Sequence, residues 1–150
     1  MASPLGFTEG GRRYYREVYL PALSEVVTPV DPWALTAPEE FAAAKSEERR
    51  RKFALEIGRR NVNAIRSCQV LAAYLEGQEL DSGTVIEVGY AAALGLRCVG
   101  LRTDLRESGD VGVSVNLQVE AIILDSGGMI CTGLDALIRE LGRADTAPAR

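Results

Sequence analysis

The stretch Asp81-Ser-Gly-Thr84-Val-Ile-Glu87-Val-Gly-Tyr90 decides how the chain folds, because it joins a strand pattern to a helix pattern. Gln69–Leu75, just before it, is continuous and apolar, as is typical of a strand buried on both faces of a parallel sheet. Small residues follow it as far as Gly95, which is suited to cap the end of a helix. Ligands of open α/β sheets bind in the crevice beside such junctions, so the stretch predicts both a fold class and a site.

Apolar and helical patterns alternate on either side of this junction and predict the rest of the fold. Strands are indicated at Met1–Ser3, Val26–Val30, Gln69–Leu75, Cys98–Leu101 and Met129–Thr132. Helices are indicated at Glu9–Glu25 with a kink at Pro21, at Pro38–Ser67 with a break near Gly58, and at Thr84–Leu94, Asn116–Leu124 and Leu134–Leu141. We therefore expect a doubly wound α/β fold with a parallel five-stranded sheet in the order 2-1-3-4-5.

The length of 150 residues predicts one domain, which we place at residues 1–143, with a flexible tail at residues 144–150. The first strand is truncated, since only Met1-Ala2-Ser3 precedes the loop that should follow it. Two explanations are open. Either the strand is very short, or the natural chain begins upstream of this methionine.

Composition and charge exclude several classes of partner. The net charge of −4 disfavours nucleic acid and anionic membranes, which both attract basic surfaces. No apolar run approaches the roughly 18 residues of a membrane-spanning helix, and the N-terminus lacks the pattern of a signal peptide. The cysteines Cys68, Cys98 and Cys131 are widely spaced in apolar surroundings, which predicts buried free thiols and a cytoplasmic location.

The chain contains no histidine, and this limits its chemistry. Nucleophile pairs of the Ser-His or Cys-His type are excluded. The cysteine spacing offers no metal site, and neither GxxxxGK[ST] nor GxGxxG is present, so we expect no metal and no cofactor. Acid–base chemistry must therefore depend on Asp, Glu, Tyr, Lys or Arg side chains.

Two carboxylates of the opening stretch are the candidate catalytic groups. Glu87 falls in the first turn of the predicted helix, where the helix dipole favours the ionised carboxylate that a nucleophile requires. Asp81 lies six residues earlier and could supply a proton, and Gly83 would let the backbone approach a ligand closely. A structural interpretation stays open beside this one, because Thr84 and Glu87 also fit a capping box.

The segment Asp81-Ser-Gly-Thr-x-x-Glu87-x-Gly-Tyr-Ala91, preceded by Asn61-x-x-x-Ile65-x-x-Cys68, resembles the nucleoside 2-deoxyribosyltransferases. The resemblance extends to about residue 140 through four further pieces, which are Ala2–Thr8, Asp31–Trp33, Gly100–Arg106 and Asn116–Gln118. It implies a flavodoxin-like fold and the transfer of 2-deoxyribose between purine or pyrimidine bases. The substrates would be 2′-deoxynucleosides and free nucleobases, as in nucleotide salvage.

The resemblance also implies a role for each matching residue. The Glu87 carboxylate would attack C1′ and form a deoxyribosyl ester that a second base intercepts with net retention. Asp81 would contact the departing base and help its protonation, and Asn61 stands where relatives often place an Asp that also contacts the base. Asn116 and Gln118 match a segment that reaches into a neighbour's active site, so a homo-oligomer with shared sites is implied.

Structural alternatives accompany two of these residues. Phe7 is interpreted either as a lid that stacks on the base or as part of the core, and the Gly-Phe-Thr loop favours the lid. Asn116 is also a good helix N-cap on its own account.

One departure from the family leaves the activity open. Relatives carry in the first strand a Tyr that hydrogen-bonds the catalytic carboxylate, and the alignment places this Tyr before Met1. An N-glycoside hydrolase acting on nucleosides or nucleotides is one alternative, because water can replace the acceptor base at the same nucleophile. A non-catalytic nucleoside-binding module is another, although the intact pair of Asp81 and Glu87 counts against it.

Overall fold

The computed structural model describes residues 1–109 and 112–143, so the predicted tail at 144–150 lies outside the described residues. Its sheet has three parallel strands, β1 (Val70–Tyr74), β2 (Arg97–Leu101) and β3 (Ile130–Cys131), in the order β1-β2-β3. The register places Leu71 opposite Cys98 and Leu101 opposite Cys131. The parallel sheet confirms the predicted α/β class.

The prediction of five strands is not confirmed, since the described residues form a sheet of three. The first strand is reduced to an isolated bridge beside β1, in which the Ala2 N–H donates to the Ala72 carbonyl at 2.8 Å. The predicted strand Val26–Val30 does not form. The N–H groups of Val26 and Val27 donate back to the Leu23 carbonyl at 3.2 and 3.0 Å, so the preceding helix end takes their hydrogen bonds.

The helices cover both faces of the sheet, which is consistent with a flavodoxin-like fold. They are α1 (Glu9–Tyr14), α2 (Leu20–Ser24), α3 (Pro38–Ala43), α4 (Glu47–Arg66), α5 (Ser82–Ala93), α6 (Leu117–Asp125) and α7 (Leu134–Leu141). One core cluster joins α4, α5 and α6 to the sheet, and a second joins α7 to the segment formed by α1, α2 and the turn between them. The near-continuous apolar character of β1 and β2 follows, because both faces of these strands are covered.

The predicted helices Glu9–Glu25 and Pro38–Ser67 are both interrupted, but not in the way that the sequence predicts. A π-helical turn, Tyr15–Tyr19, separates α1 from α2 just before Pro21, since proline removes a backbone donor and crowds the preceding turn. The long helix is interrupted after Ala43 rather than near Gly58, which lies inside α4. Ser46 caps α4 there, its hydroxyl accepting from the Arg49 N–H at 3.3 Å.

Candidate active site

The start of α5 differs from the predicted capping box. Asp81, and not Thr84, is the N-cap, and its Oδ2 accepts from both the N–H and the hydroxyl of Thr84 at 2.8 and 2.9 Å. The helix consequently begins at Ser82, two residues earlier than the sequence predicts. Aspartate is at least as good an N-cap as threonine, which explains the choice. Glu87 therefore takes no part in capping and lies in the second turn of the helix.

Glu87 projects into a small cavity between α4, α5 and the turn Pro32–Leu35. The cavity measures about 20 Å³, room for about one water molecule. Its walls are mostly apolar and include Val30, Pro32, Leu35, Ile65 and Leu71. Within the described part of the chain, no hydrogen bond ends on the Glu87 carboxylate, so this group is available to a ligand.

Asn61 of α4 also lines this cavity. Its Oδ1 is buried and has no hydrogen-bond partner within the described ranges. An unmade hydrogen bond at a buried acceptor costs about 1–3 kcal/mol, so a donor from a water or a ligand would be stabilised there. The tertiary structure thus joins the predicted base-contacting residue to the predicted nucleophile.

The cavity changes the acid–base behaviour of Glu87. Burial raises the pKa of its carboxyl above the ordinary value of 4.5, the Met1 amino group offsets part of this shift, and the negative charge of Asp81 adds to it. The folded protein therefore holds the Glu87 proton to a higher pH than the unfolded chain does.

This shift gives a stability prediction for Glu87→Gln. Between the unfolded and the raised folded pKa the native state binds more protons, so the wild-type free energy of unfolding falls as pH rises through that window. The neutral amide does not titrate, so the free energy of unfolding of the variant does not fall in this pH window. We expect the variant to unfold at higher urea concentration than wild type at pH 7, and the difference to narrow towards pH 4. A difference that is constant with pH would contradict the raised pKa.

Phe7 is not a core residue. It is 70% exposed at the end of a 3-10 turn, Leu5–Phe7, and its ring meets Trp33 edge-on with centroids 5.1 Å apart. Gly6 makes this contact possible, because a Cβ there would lie 2.1 Å from the Trp33 ring. The exposed aromatic pair adjoins the turn Pro32–Leu35, which walls the Glu87 cavity.

The remaining candidate residues lie at two places, the start of α5 and the start of α6. Gly83 lies beside Asp81 in the first turn of α5, and a Cβ there would approach Asp81 Oδ2 to 3.1 Å, so glycine leaves this carboxylate accessible. Asn116 and Gln118 are exposed and do not line the Glu87 cavity. Asn116 caps α6, its Oδ1 accepting from the Gln118 N–H at 3.0 Å, as its alternative structural role predicts.

Two apolar walls of the cavity, Val30 and Leu35, were not predicted from the sequence. Both flank the segment Asp31-Pro32-Trp33, and this proximity is the signal that could have identified them. Asp31 orders the segment by accepting from the Trp33 N–H at 2.9 Å and from the Tyr15 hydroxyl at 2.7 Å.

Two further features concern metals and membranes. The described ranges contain no group of three His, Cys, Asp or Glu side chains placed to hold a metal ion. Over the same ranges, no helix has both the length and the apolar character needed to cross a membrane.

Among solved structures, the chain is similar to a conserved protein from Enterococcus faecalis V583, with 22% identity, 93% of each chain covered and a TM-score of 0.68. This likeness shows the fold. A search of curated proteins gives no match. The model of the nucleoside 2-deoxyribosyltransferase family matches residues 1–129, which is most of the sequence. The chain therefore belongs to the nucleoside 2-deoxyribosyltransferase family.

Proposed function

We propose that this protein transfers 2-deoxyribose between purine or pyrimidine bases, with Glu87 as the nucleophile. The family acts on nucleosides and nucleobases. The observation that carries the proposal is the Glu87 carboxylate, which lies in an apolar cavity, without a hydrogen bond from the described residues, beside the partnerless Asn61 Oδ1. A carboxylate kept from water and from internal donors is a more reactive nucleophile than a solvated one.

The reaction would proceed in two displacements at C1′. A Glu87 oxygen bonds to C1′ as the C1′–N bond breaks. The electron pair of the C1′–N bond goes to the base nitrogen, and the base is protonated as it departs. Asp81 is the proposed proton source, because both of its hydrogen bonds to Thr84 use Oδ2 and leave Oδ1 for the base. A nitrogen of a second base then attacks C1′ as the C1′–O bond to Glu87 breaks. The N–H proton of this base passes to Asp81, and the original configuration is restored.

Substrate entry requires the cavity to open. A nucleoside is many times larger than 20 Å³, and we propose that the turn Pro32–Leu35 moves away from α4 and α5 to admit it. Phe7 and Trp33 lie on or beside this turn and expose their rings. We propose that Phe7 stacks on the bound base as a lid, which aromatic rings do at low conformational cost.

We further propose a homo-oligomer in which Asn116 and Gln118 complete the site of a neighbouring copy. Both are exposed and lie outside the Glu87 cavity of their own chain. The neighbouring helices α5 and α6 each expose a large apolar side chain, with Ile86 67% exposed and Leu117 50% exposed. We propose that contact with a second copy covers both side chains. The three free thiols favour a reducing compartment such as the cytoplasm.

Shared sites predict that two inactive variants restore activity when mixed. An oligomer of Asn116→Ala and Glu87→Ala chains has one site with an intact Glu87 from one chain and an intact Asn116 from the other. For randomly mixed dimers, we expect about a quarter of the wild-type rate to return. The matched control mixes Glu87→Ala with Asn61→Ala, whose residues share one chain's cavity, and should stay inactive. Failure of the first mixture to recover would point to self-contained sites.

The proposed function is tested by incubating the protein with deoxyinosine, with and without free adenine, and separating the products. Formation of deoxyadenosine is the expected result. Hypoxanthine and free deoxyribose in both incubations would mean that the protein is a hydrolase. Binding of deoxyinosine without turnover would identify a non-catalytic nucleoside-binding module.

A further inference from the structure

Arg102 connects the loop that follows β1 (residues 75–81, the β1 loop) to the loop that follows β2 (residues 102–109, the β2 loop). It is 4% exposed, and its Nη1 donates to the carbonyls of Leu75 at 2.7 Å and Gly77 at 3.0 Å. Its Nη2 donates to the Arg106 carbonyl at 2.7 Å and the Ser108 hydroxyl at 2.9 Å. One guanidinium therefore holds both loops together at the carboxyl end of the sheet.

Glu76 makes the reverse connection from the β1 loop. Its Oε1 accepts from the Thr103 N–H at 2.6 Å and the Thr103 hydroxyl at 2.7 Å, and its Oε2 accepts from the Asp104 N–H at 2.7 Å. Hydrogen bonds to an ionised carboxylate are stronger than those between neutral groups. Together, Arg102 and Glu76 form a two-way clamp of five hydrogen bonds between the loops, and Arg102 makes two more within the β2 loop.

The Arg102 side of this clamp is an unusual use of a buried charge. Within the described residues, Arg102 makes no hydrogen bond to a carboxylate, and its four acceptors are neutral carbonyl or hydroxyl oxygens, although its charge also acts on the Asp104 carboxylate. Removing a guanidinium from water without a directly bonded counter-ion is costly, and an apolar residue would fill the space more cheaply. What an apolar residue cannot do is fix four acceptors of two loops in one planar geometry.

The β1 loop ends at Asp81, the N-cap of α5. The body of α5 is held by its own packing, since Val88 and Ala91 belong to the core beneath the helix. Asp81 lies before that packed region and depends more on the loop that leads to it. Loss of the clamp should therefore displace Asp81 more than Glu87.

We propose that Arg102 and Glu76 are positioning residues that hold Asp81 at the departing base, an inference that rests on the proposed function. Neither side chain needs to touch the substrate. A displacement of about 1 Å in a catalytic group can cost about 100-fold in rate. The clamp would thus contribute to the first displacement through Asp81, while the nucleophile stays in place.

A double-mutant cycle between Glu76→Gln and Asp81→Asn tests this coupling. In the wild-type background, we expect Glu76→Gln to lower kcat/KM with deoxyguanosine by about 100-fold. In the Asp81→Asn background, we expect it to lower kcat/KM by no more than about twofold, because the displaced group is already disabled. The matched control is Glu107→Gln, because Glu107 is an exposed carboxylate of the β2 loop. This substitution should leave kcat/KM unchanged in either background.

A second comparison separates positioning from general loss of structure. The base of 7-methyl-2′-deoxyguanosine departs without protonation. Glu76→Gln should therefore leave kcat/KM for this nucleoside nearly unchanged, while kcat/KM for deoxyguanosine falls. Arg102→Lys, which keeps the charge but not the planar fork, should show the same pattern. If it does not fold, as judged by circular dichroism, Glu76→Gln alone decides.

The outcomes distinguish the clamp from the underlying function. Equal losses on both nucleosides, or full additivity with Asp81→Asn, would overturn the positioning role while leaving the transferase intact. A wild-type protein that turns over neither nucleoside would overturn the proposed function and the positioning role with it.

Discussion

Replacing Glu87 by Gln is expected to reduce deoxyribosyl transfer by roughly 10⁴-fold or more, because the amide cannot form the ester with C1′. The fold should persist, since Glu87 makes no hydrogen bond to the described part of the chain and the core beneath α5 is untouched. The measurement is the initial rate of deoxyadenosine formation from deoxyinosine and adenine, with circular dichroism as the check on folding.

The matched control for this prediction is Glu79→Gln, which makes the same carboxylate-to-amide change at an exposed position of the β1 loop. It should leave the rate unchanged. Mass spectrometry of wild-type protein quenched during turnover should detect a deoxyribosyl adduct on the peptide that carries Glu87. Turnover retained in Glu87→Gln would remove Glu87 as the nucleophile, whatever the adduct experiment gives.

Asp81→Asn is expected to lower kcat/KM by about 100-fold or more while leaving the stability nearly unchanged. The amide still offers an oxygen to cap α5, and asparagine is as good an N-cap as aspartate. It cannot supply a proton to the leaving base, a contribution of the order of 10²–10⁴-fold in general acid catalysis. A rate equal to wild type would end the acid role of Asp81.

Asp81→Ala separates the capping role from the chemical one. It removes the acceptor for both Thr84 hydrogen bonds, so the free energy of unfolding should fall by about 1 kcal/mol, in addition to the loss of rate. Ser46→Ala is the matched control, since Ser46 caps α4 in the same way. It should lower the denaturation midpoint without lowering kcat/KM. A comparable loss of rate in both variants would mean that stability alone explains the effect.

Elements that depend on local pattern were predictable from the sequence. The helix predicted at Leu134–Leu141 has those bounds in the structure, and the strand predicted at Gln69–Leu75 contains β1. A continuous buried run and a strong helical period each specify one conformation without outside help. The prediction that Cys68, Cys98 and Cys131 are free is confirmed, although Cys68 is only partly buried.

The errors occurred where two local patterns compete. Val26–Val30 is rich in β-branched residues, but the N–H groups of Val26 and Val27 donate to the end of the preceding helix. Asp81 and Thr84 are both good N-caps, and the sequence does not say which one ends the loop. Gly58 weakens a helix by about 1 kcal/mol, which tertiary contacts of α4 outweigh.

The α/β class, the strand-to-helix junction at Asp81 and the family resemblance depend on periodicity and on residues close in the chain, so they are predictable without a structure. The packing of the elements is what places Asn61 and Glu87 in one cavity, leaves Asn116 outside it and lets Glu76 and Arg102 clamp two loops. Asn61 and Glu87 are 26 positions apart in the chain, and so are Glu76 and Arg102. Periodicity states which side of an element is buried, but the partner it is buried against is fixed only when the elements pack together.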